Sequence, residues 1–570
     1  MSFHPSIPGR TVDSHSHPWL DHYPACVRKQ IHIASEPLPY LLERSASLWG
    51  TRPACIYYDQ VLTYEQAFEQ SSSLAAWLMD QGLAPGDRVA VLLPNCPEYL
   101  VALNGIWLAG GTAVALSPLF VAEEVESFLK ATDCRIVITL DVLSPLICSG
   151  DLKPELVIYT SLGDRMSRLE RLGYAWVRLM RLGFSSVCPN TKVESLSRII
   201  HTTSADSYSA PEIDVNGPAY ILPTGGTTSS PKAVTLSHRN LMANATQISE
   251  WSGNFAGRET FLSVLPFFHS YGLSTCLMTG TYLGATLVLH HRFRTASVLR
   301  LIQDHRPTVF PAVPAMLSAL NGMLEKSPAK LTSIRAVISG GAALPQTVAE
   351  KFSEMTGAAV VEGYGLSEAS PVTHAGPLDG TALPRTIGLP LPNTDARIVD
   401  VATGTETLPF GEVGELVVRG PQVMLGYWNA PEETAKVIRD GWLHTGDLAT
   451  CDENGFFRVV DRKKDLIITN GFNVYPTDVE EVLRKYPGVA DVAVVGIPNE
   501  DHGELVKAIV VMRSGKTLNR SDFDSFSRKH LAAHKRPRLV EESKELPKNF
   551  LGKVLRRELR DSEPIPTTST

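Results

Sequence analysis

Between about residues 37 and 240, helical periodicity alternates with short apolar runs. Tyr64 to Gln81 reads as a helix, and Arg88 to Leu93 and Arg135 to Thr139 read as buried strands. Such alternation predicts βα units and a mostly parallel sheet. It resumes with expected strands at Phe261–Leu265, Ala285–Leu289, Thr308–Phe310 and Ala336–Ser339. Beyond residue 385 the strands shorten and Gly and Pro turns multiply, as at Ala396–Val399, Gly414–Val418 and Gly455–Val460, which predicts a small barrel or antiparallel sheet. A compact α+β unit then closes the chain, with a strand at Val492–Val495 and a helix at Arg520–Ala533. The charged stretch Asp461-Arg-Lys-Lys-Asp465 makes a boundary before it. Tyr99 to Ala122 carries no charge over 24 residues, nominally enough to span a bilayer. Its glycines and proline instead predict an apolar helix to Leu108, a break at Gly110-Gly111 and a buried strand from Thr112 to Leu116.

Length adds that 570 residues exceed what one hydrophobic core holds, so two or more domains are expected. The expected division is a polar leader at 1–36, a large domain at 37–462, a smaller one at 463–560 and a disordered tail at 561–570. Hydrophobic residues at 44% and charged residues at 20% describe a globular protein. The formal charge of −7 argues against a nucleic-acid partner. Eight dispersed cysteines without a Cys-x-x-Cys pair fit buried, reduced thiols better than a disulfide frame or zinc site. No signal peptide is visible, and the ending Thr-Thr-Ser-Thr is not a peroxisomal address, so a cytoplasmic location is expected.

Candidate chemistry begins at Tyr220-Ile-Leu-Pro-Thr224-Gly225-Gly226-Thr227-Thr228-Ser-Ser-Pro-Lys232, where an apolar strand feeds a loop of glycines, hydroxyls and a lysine. Glycines let backbone N–H groups approach phosphate oxygens, threonines donate or ligate a metal, and Lys232 supplies a cation. A Thr-rich turn is the plain alternative. The loop is no Walker motif, and Gly515-Lys-Thr517 lacks the first Walker glycine, having Val510 there. Asp13-Ser-His15-Ser-His17 imitates a metal-hydrolase strand end, but no apolar strand precedes it.

Further motifs follow in order: Leu265-Pro-Phe-Phe-His269-Ser-Tyr271-Gly272, Ser339-Gly-Gly341-Ala342-Ala343, Glu362-Gly-Tyr364-Gly365-Leu-Ser367-Glu368, Gly441-Trp-Leu-His-Thr-Gly446-Asp447, Asp461-Arg462-Lys-Lys464-Asp465 and Pro547-Lys-Asn-Phe-Leu-Gly552-Lys553. From about residue 40 to 560 this series resembles the adenylate-forming superfamily of acyl-CoA synthetases, peptide-synthetase adenylation domains and beetle luciferases. The resemblance implies two helix-flanked sheets plus a small β-barrel in the large domain, and a mobile C-terminal domain. It also implies use of ATP, Mg²⁺ and coenzyme A on a small-molecule carboxylic acid, converted first to acyl-AMP and then to a thioester.

By the same resemblance, Thr224 to Thr228 and Lys232 hold phosphates, Gly341, Ala342 and Tyr364 line the adenine slot, and Glu362 is a further ATP-binding residue. Ser367 lies near the α-phosphate, Glu368 with Thr224 takes the metal, and Asp447 accepts from the ribose hydroxyls with help from Arg462. Lys553 is the cation of adenylation, Lys464 the hinge, Gly471 a border of the thiol channel, and His269 a gate to the acyl pocket. Outside the resemblance, Glu368 and Lys553 would read as surface charge and His269 as a buried ring. The chain departs from the family pattern at Ser229, Ala233 and Phe550-Leu551.

The motif Thr-Gly-Gly-Thr-Thr, the following His238-Arg-Asn-Leu-Met242 and an insertion before the loop are most similar to bacterial long-chain fatty-acid-CoA ligases, implying a medium- or long-chain acid. Between Asp164 and Phe184 the insertion interleaves five arginines with Leu169, Leu172, Trp176, Val177 and Met180. That pattern suits peripheral contact with the inner face of a membrane, and equally a helix packed on the sheet. Alternatives to a CoA ligase are a fatty acyl-AMP ligase loading a carrier protein, a luciferase-like oxygenase and a non-catalytic adenylate binder.

Overall fold

A computed structural model describes residues 17–58, 60–148, 154–161, 163, 168–182, 191–224, 232–499, 502–548 and 553–561. Two large sheets carry the N-terminal domain. In the first, strands Arg88–Leu92, Thr112–Ala115, Ile136–Leu140, Leu156–Thr160, Lys192–Ser195 and Pro218–Pro223 run parallel. Ala233–Ser237 adds antiparallel to Pro218–Pro223, and Gly426–Tyr427 pairs outside it. Among the described residues the second has nine strands, with Pro53–Tyr57, Thr260–Ser263, Thr286–Leu289, Val309–Ala312, Ala336–Ser339 and Ala359–Gly365 parallel at its centre.

Helices fill the space between these sheets. Tyr64–Asp80 opens with a reciprocal cap in which the Thr63 hydroxyl accepts from Gln66 N–H and the Gln66 side chain accepts from Thr63 N–H. Pro97–Leu108 is buried at every position, which explains its charge-poor sequence; Gly110, at φ +78°, then turns the chain into strand Thr112–Ala115. A continuous core, from Leu38 through Trp107 and Phe267 to Tyr427, joins both sheets. No helix among the described residues is long and apolar enough to cross a membrane.

The barrel or antiparallel sheet expected after residue 385 is an antiparallel sheet that, among the described residues, has five strands, including Asp395–Val399, Gly414–Arg419, Trp442–Cys451 and Phe457–Arg462. Part of the polar leader packs on it. Trp19 is buried against Phe457, and the Tyr23 hydroxyl donates to the Pro390 carbonyl at 2.6 Å. His17 lies 3.0 Å from Asp395, so within the hydrolase-like stretch it serves packing; Asp13 and His15 fall outside the described residues. The C-terminal domain has its own core around Ile467, Val492, Ala508, Val510 and Phe523, under a hairpin of Val489–Asn499 and Gly503–Met512.

The cysteine expectation needs correcting. Cys55, Cys96, Cys134, Cys276 and Cys451 are buried thiols, but Cys26 is exposed and Cys148 is disulfide-bonded.

Candidate active site

The site lies beyond the carboxyl ends of parallel strands, the usual ligand crevice of an open α/β sheet. Ser339 pairs with Glu362, so the turn at Gly340-Gly341-Ala342 and the strand end Glu362 to Tyr364 lie side by side. Gly341 adopts φ +81°, and Gly341 and Ala342 are exposed where a flat ring could rest. Glu362 accepts from Leu344 N–H at 3.2 Å; burial raises its carboxyl to about 7. Gly365 has no substitute, because any Cβ there would collide with the Pro371 carbonyl oxygen.

Asp447 sits on Trp442–Cys451, opposite Arg462 across the antiparallel pairing. Its carboxylate accepts from the Tyr364 hydroxyl at 2.6 Å on one oxygen and lies 2.8 Å from Arg462 Nε on the other. Burial raises the Tyr364 phenol, and the Asp447 charge adds to the shift. Burial works against the Arg462 charge, but Asp447, Tyr364, Asp465 and Glu368 outweigh it and raise its pKa. The result is an oriented carboxylate and guanidinium on one wall.

The phosphate side is anchored where Thr224 N–H donates to the Lys232 carbonyl at 2.8 Å, closing the base of the loop. Gly225, Gly226, Thr227 and Thr228 lie outside the described residues. Lys232 Nζ is 2.7 Å from Glu433 and sits over the Tyr427 ring at 4.8 Å. The Tyr427 hydroxyl donates to Glu368 at 2.9 Å, and Ser367 contacts the Ser270 hydroxyl at 3.2 Å. Tyr427 therefore couples the lysine of the loop to the carboxylate expected at the metal. Sequence reasoning missed it, although Gly426-Tyr427-Trp428 just before a Pro-initiated helix was an available signal.

The C-terminal domain delivers Lys553 to this wall. Burial lowers the Lys553 ammonium to about 8, Arg462 and Lys464 push the same way, and Asp447 and Asp465 oppose. Those five groups thus share one electrostatic neighbourhood. Lys464, on the turn Lys463–Asp465, is lowered by burial and then by Arg462. Arg556, three residues past Lys553, lies 3.6 Å from Asp461, 3.6 Å from Asp465 and 2.8 Å from Glu480, tying the tail to the junction.

Gly471 and His269 are carried by other segments. Gly471, at φ +77° beside Asn470 at +49°, forms the two-residue tip of a hairpin between Ile467–Thr469 and Phe472–Val474. Asn470 bonds to His502 of the same domain. His269 accepts from Tyr271 N–H through Nδ1 at 3.2 Å, and burial lowers it to about 4, so it is a neutral ring at physiological pH.

Fold and site together define a two-domain adenylate-forming enzyme, an acid-thiol ligase. The chain belongs to the AMP-binding enzyme family, whose model matches residues 42–428, with the AMP-binding enzyme C-terminal domain matching 478–553. It is 38% identical to a long-chain-fatty-acid–CoA ligase of Bacillus subtilis over 96% of this chain and 98% of the relative. A long-chain-fatty-acid–CoA ligase of Escherichia coli is 36% identical over 95% and 98%. Among solved structures, ATP-bound MatB from Rhodopseudomonas palustris superposes with a TM-score of 0.77 at 29% identity, covering 92% of this chain and 99% of that one.

Proposed function

We propose that this enzyme activates a medium- or long-chain fatty acid with ATP to give acyl-AMP and pyrophosphate, then transfers the acyl group to coenzyme A. The observation carrying this reading is Lys553, supplied by the tail domain and held in the field of Asp447, Arg462, Lys464 and Asp465. A carboxylate attacking an α-phosphate brings two anions together, and a fixed ammonium between them lowers that barrier. Asp447 accepts the ribose hydroxyls, Arg462 fixes Asp447, and Tyr364 with Gly341 and Ala342 receives adenine beside Glu362. Thr224 to Thr228, Ser367 and Lys232 cradle the phosphates.

Glu368 suits Mg²⁺ because a hard cation prefers carboxylate oxygen, and the Tyr427 hydroxyl orients that carboxylate. Bound there with Thr224, the metal would neutralise triphosphate charge. Tyr427→Phe keeps the ring beneath Lys232 but removes the hydroxyl. We expect the Mg²⁺ concentration for half-maximal activity to rise about tenfold; a magnesium titration with unchanged midpoint would contradict the coupling.

Residues 37–462 act as the adenylation domain and 463–560 as the mobile one. Rotation about Lys464 exchanges Lys553 for the segment reaching Gly471, which borders the incoming thiol, while neutral His269 gates the acyl pocket. The enzyme works in the cytoplasm, with peripheral membrane contact through 164–184. Pyrophosphate release over acids from acetate through aromatics to C18, with free coenzyme A or a holo-carrier protein as acceptor, tests the assignment. Best turnover is expected with the longer fatty acids and free coenzyme A. Preference for the carrier or for aromatic acids would redirect it.

The Lys553 shift also gives a pH signature. In free enzyme its ammonium is lost as pH rises through about 8, so kcat/KM for adenylation should fall over that range. Lys553→Arg, which stays charged, should remove the alkaline decline. In the fold, the cost of burying this ammonium is full below about pH 8 and is relieved as pH rises towards the ordinary 10.5. An alkaline limb unchanged by the arginine would exclude Lys553 as its source.

A further inference from the structure

The antiparallel sheet of the large domain carries a cavity that none of the residues placed at the ATP site lines. Strand register builds it. Asp395 stands opposite Arg419 and Val418 opposite Leu443, so Asp395, Arg419 and Trp442 follow one another across three neighbouring strands. Side chains alternate along a strand, which puts Arg397 on the face of Asp395. The Arg397 and Arg419 guanidiniums both lie against the Trp442 ring, 4.3 and 4.6 Å from its centre. Trp19, Leu408, Phe410 and Phe457 complete a cavity of about 520 Å³, with Phe410 exposed. That volume is within the usual range of small-molecule sites.

The two arginines differ in what balances them. Arg419 is committed to Asp395, reaching one carboxylate oxygen through Nη2 at 2.7 Å and Nε at 3.2 Å, while His17 Nε2 lies 3.0 Å from the other oxygen. Arg397 has only a long contact to the Thr407 hydroxyl at 3.4 Å, and its Nε is buried with no acceptor among the described residues. Burial works against its charge, the Arg419 charge adds to that, and no described carboxylate opposes them. A donor left so is costly unless a ligand satisfies it.

We propose that this cavity binds a small amphipathic carboxylate, with its acid group on Arg397 and its apolar body against Trp442, Leu408 and Phe410. One unbalanced guanidinium matches one negative charge, and a planar carboxylate matches its fork of donors. A phosphate dianion would need a second cation, and Arg419 is already neutralised. The mostly apolar wall calls for a hydrocarbon or aromatic body. This site goes beyond the proposed function and does not depend on it.

Equilibrium dialysis of the full-length enzyme with octanoate and with 1-naphthylacetate tests it, beside octanol and inorganic sulfate. At least one of the acids should show a binding event that Arg397→Met weakens at least about tenfold, that Arg397→Lys keeps in part and that Phe410→Ser, at the exposed mouth, weakens severalfold. An acid held elsewhere in the enzyme would bind these variants unchanged. Octanol should bind wild type and Arg397→Met alike, and sulfate weakly to both. An Arg397-dependent event with octanoate alone would support the site and mark its ligand as aliphatic; with 1-naphthylacetate alone, as aromatic. ATP affinity should be the same in every variant, which shows that they are folded. Neither acid depending on Arg397, or sulfate binding there as tightly as the acids, would overturn the proposal.

Discussion

Lys553→Ala is expected to slow acyl-adenylate formation roughly 100- to 1000-fold, the usual cost of deleting one preorganised charge from a transition state. Thioester formation from supplied acyl-AMP should stay within a fewfold of wild type. The asymmetry follows from where the ammonium acts. It shares a neighbourhood with Asp447 and Arg462, the wall proposed to hold the ribose, and its charge matters only while carboxylate and phosphate approach. Once the mixed anhydride exists, the proposed rotation about Lys464 takes the lysine away. Single-turnover measurements of the two half-reactions separate these effects; equal losses in both would mean that Lys553 maintains the fold or docks the tail domain.

The second large effect concerns nucleotide binding. Asp447→Asn keeps the size of the side chain and an acceptor for Tyr364, but removes the charge facing Arg462. Hydrogen bonds to an ionised group contribute about 1.5 to 3 kcal/mol each. Two weakened ribose contacts should therefore raise the Kd for ATP on the order of a hundredfold. Isothermal titration with ATP and with an analogue lacking the 2′- and 3′-hydroxyls checks the assignment. The variant should bind both poorly and nearly alike, whereas wild type should prefer ATP strongly. Wild type with no such preference would remove Asp447 from the ribose.

Much of this architecture is legible in the chain. Apolar runs such as Ala336–Ser339 are strands because parallel strands buried on both faces need little but Val, Ile and Ala. The apolar stretch after Tyr99 declares itself a buried helix and a buried strand through the break at Gly110. Asp447 and Arg462 stand out in the sequence only through the family resemblance of their motifs. The 2.8 Å approach between them depends on an antiparallel register that no motif encodes.

Other parts were hidden for physical reasons. Tyr427 reaches Glu368 across 59 residues because Gly426–Tyr427 joins the edge of Ala233–Ser237, and strand order across a sheet is not a local property. Cys148 looked like any other dispersed thiol. In the helix Arg168–Leu182, periodicity revealed two faces, but which one meets the protein was decided by Asp141, a buried carboxylate far from it in sequence.

The central claim is that a lysine from the tail domain, brought to the carboxylate and guanidinium of the large domain, drives attack of a fatty acid on ATP. Isotope exchange between pyrophosphate and ATP, dependent on a long-chain acid and run without any thiol, measures that step alone. Robust exchange by wild type, lost on Lys553→Ala and restored in part by Lys553→Arg, is the predicted result. Exchange that persists in the alanine variant, or that no fatty acid elicits from wild type, would contradict it.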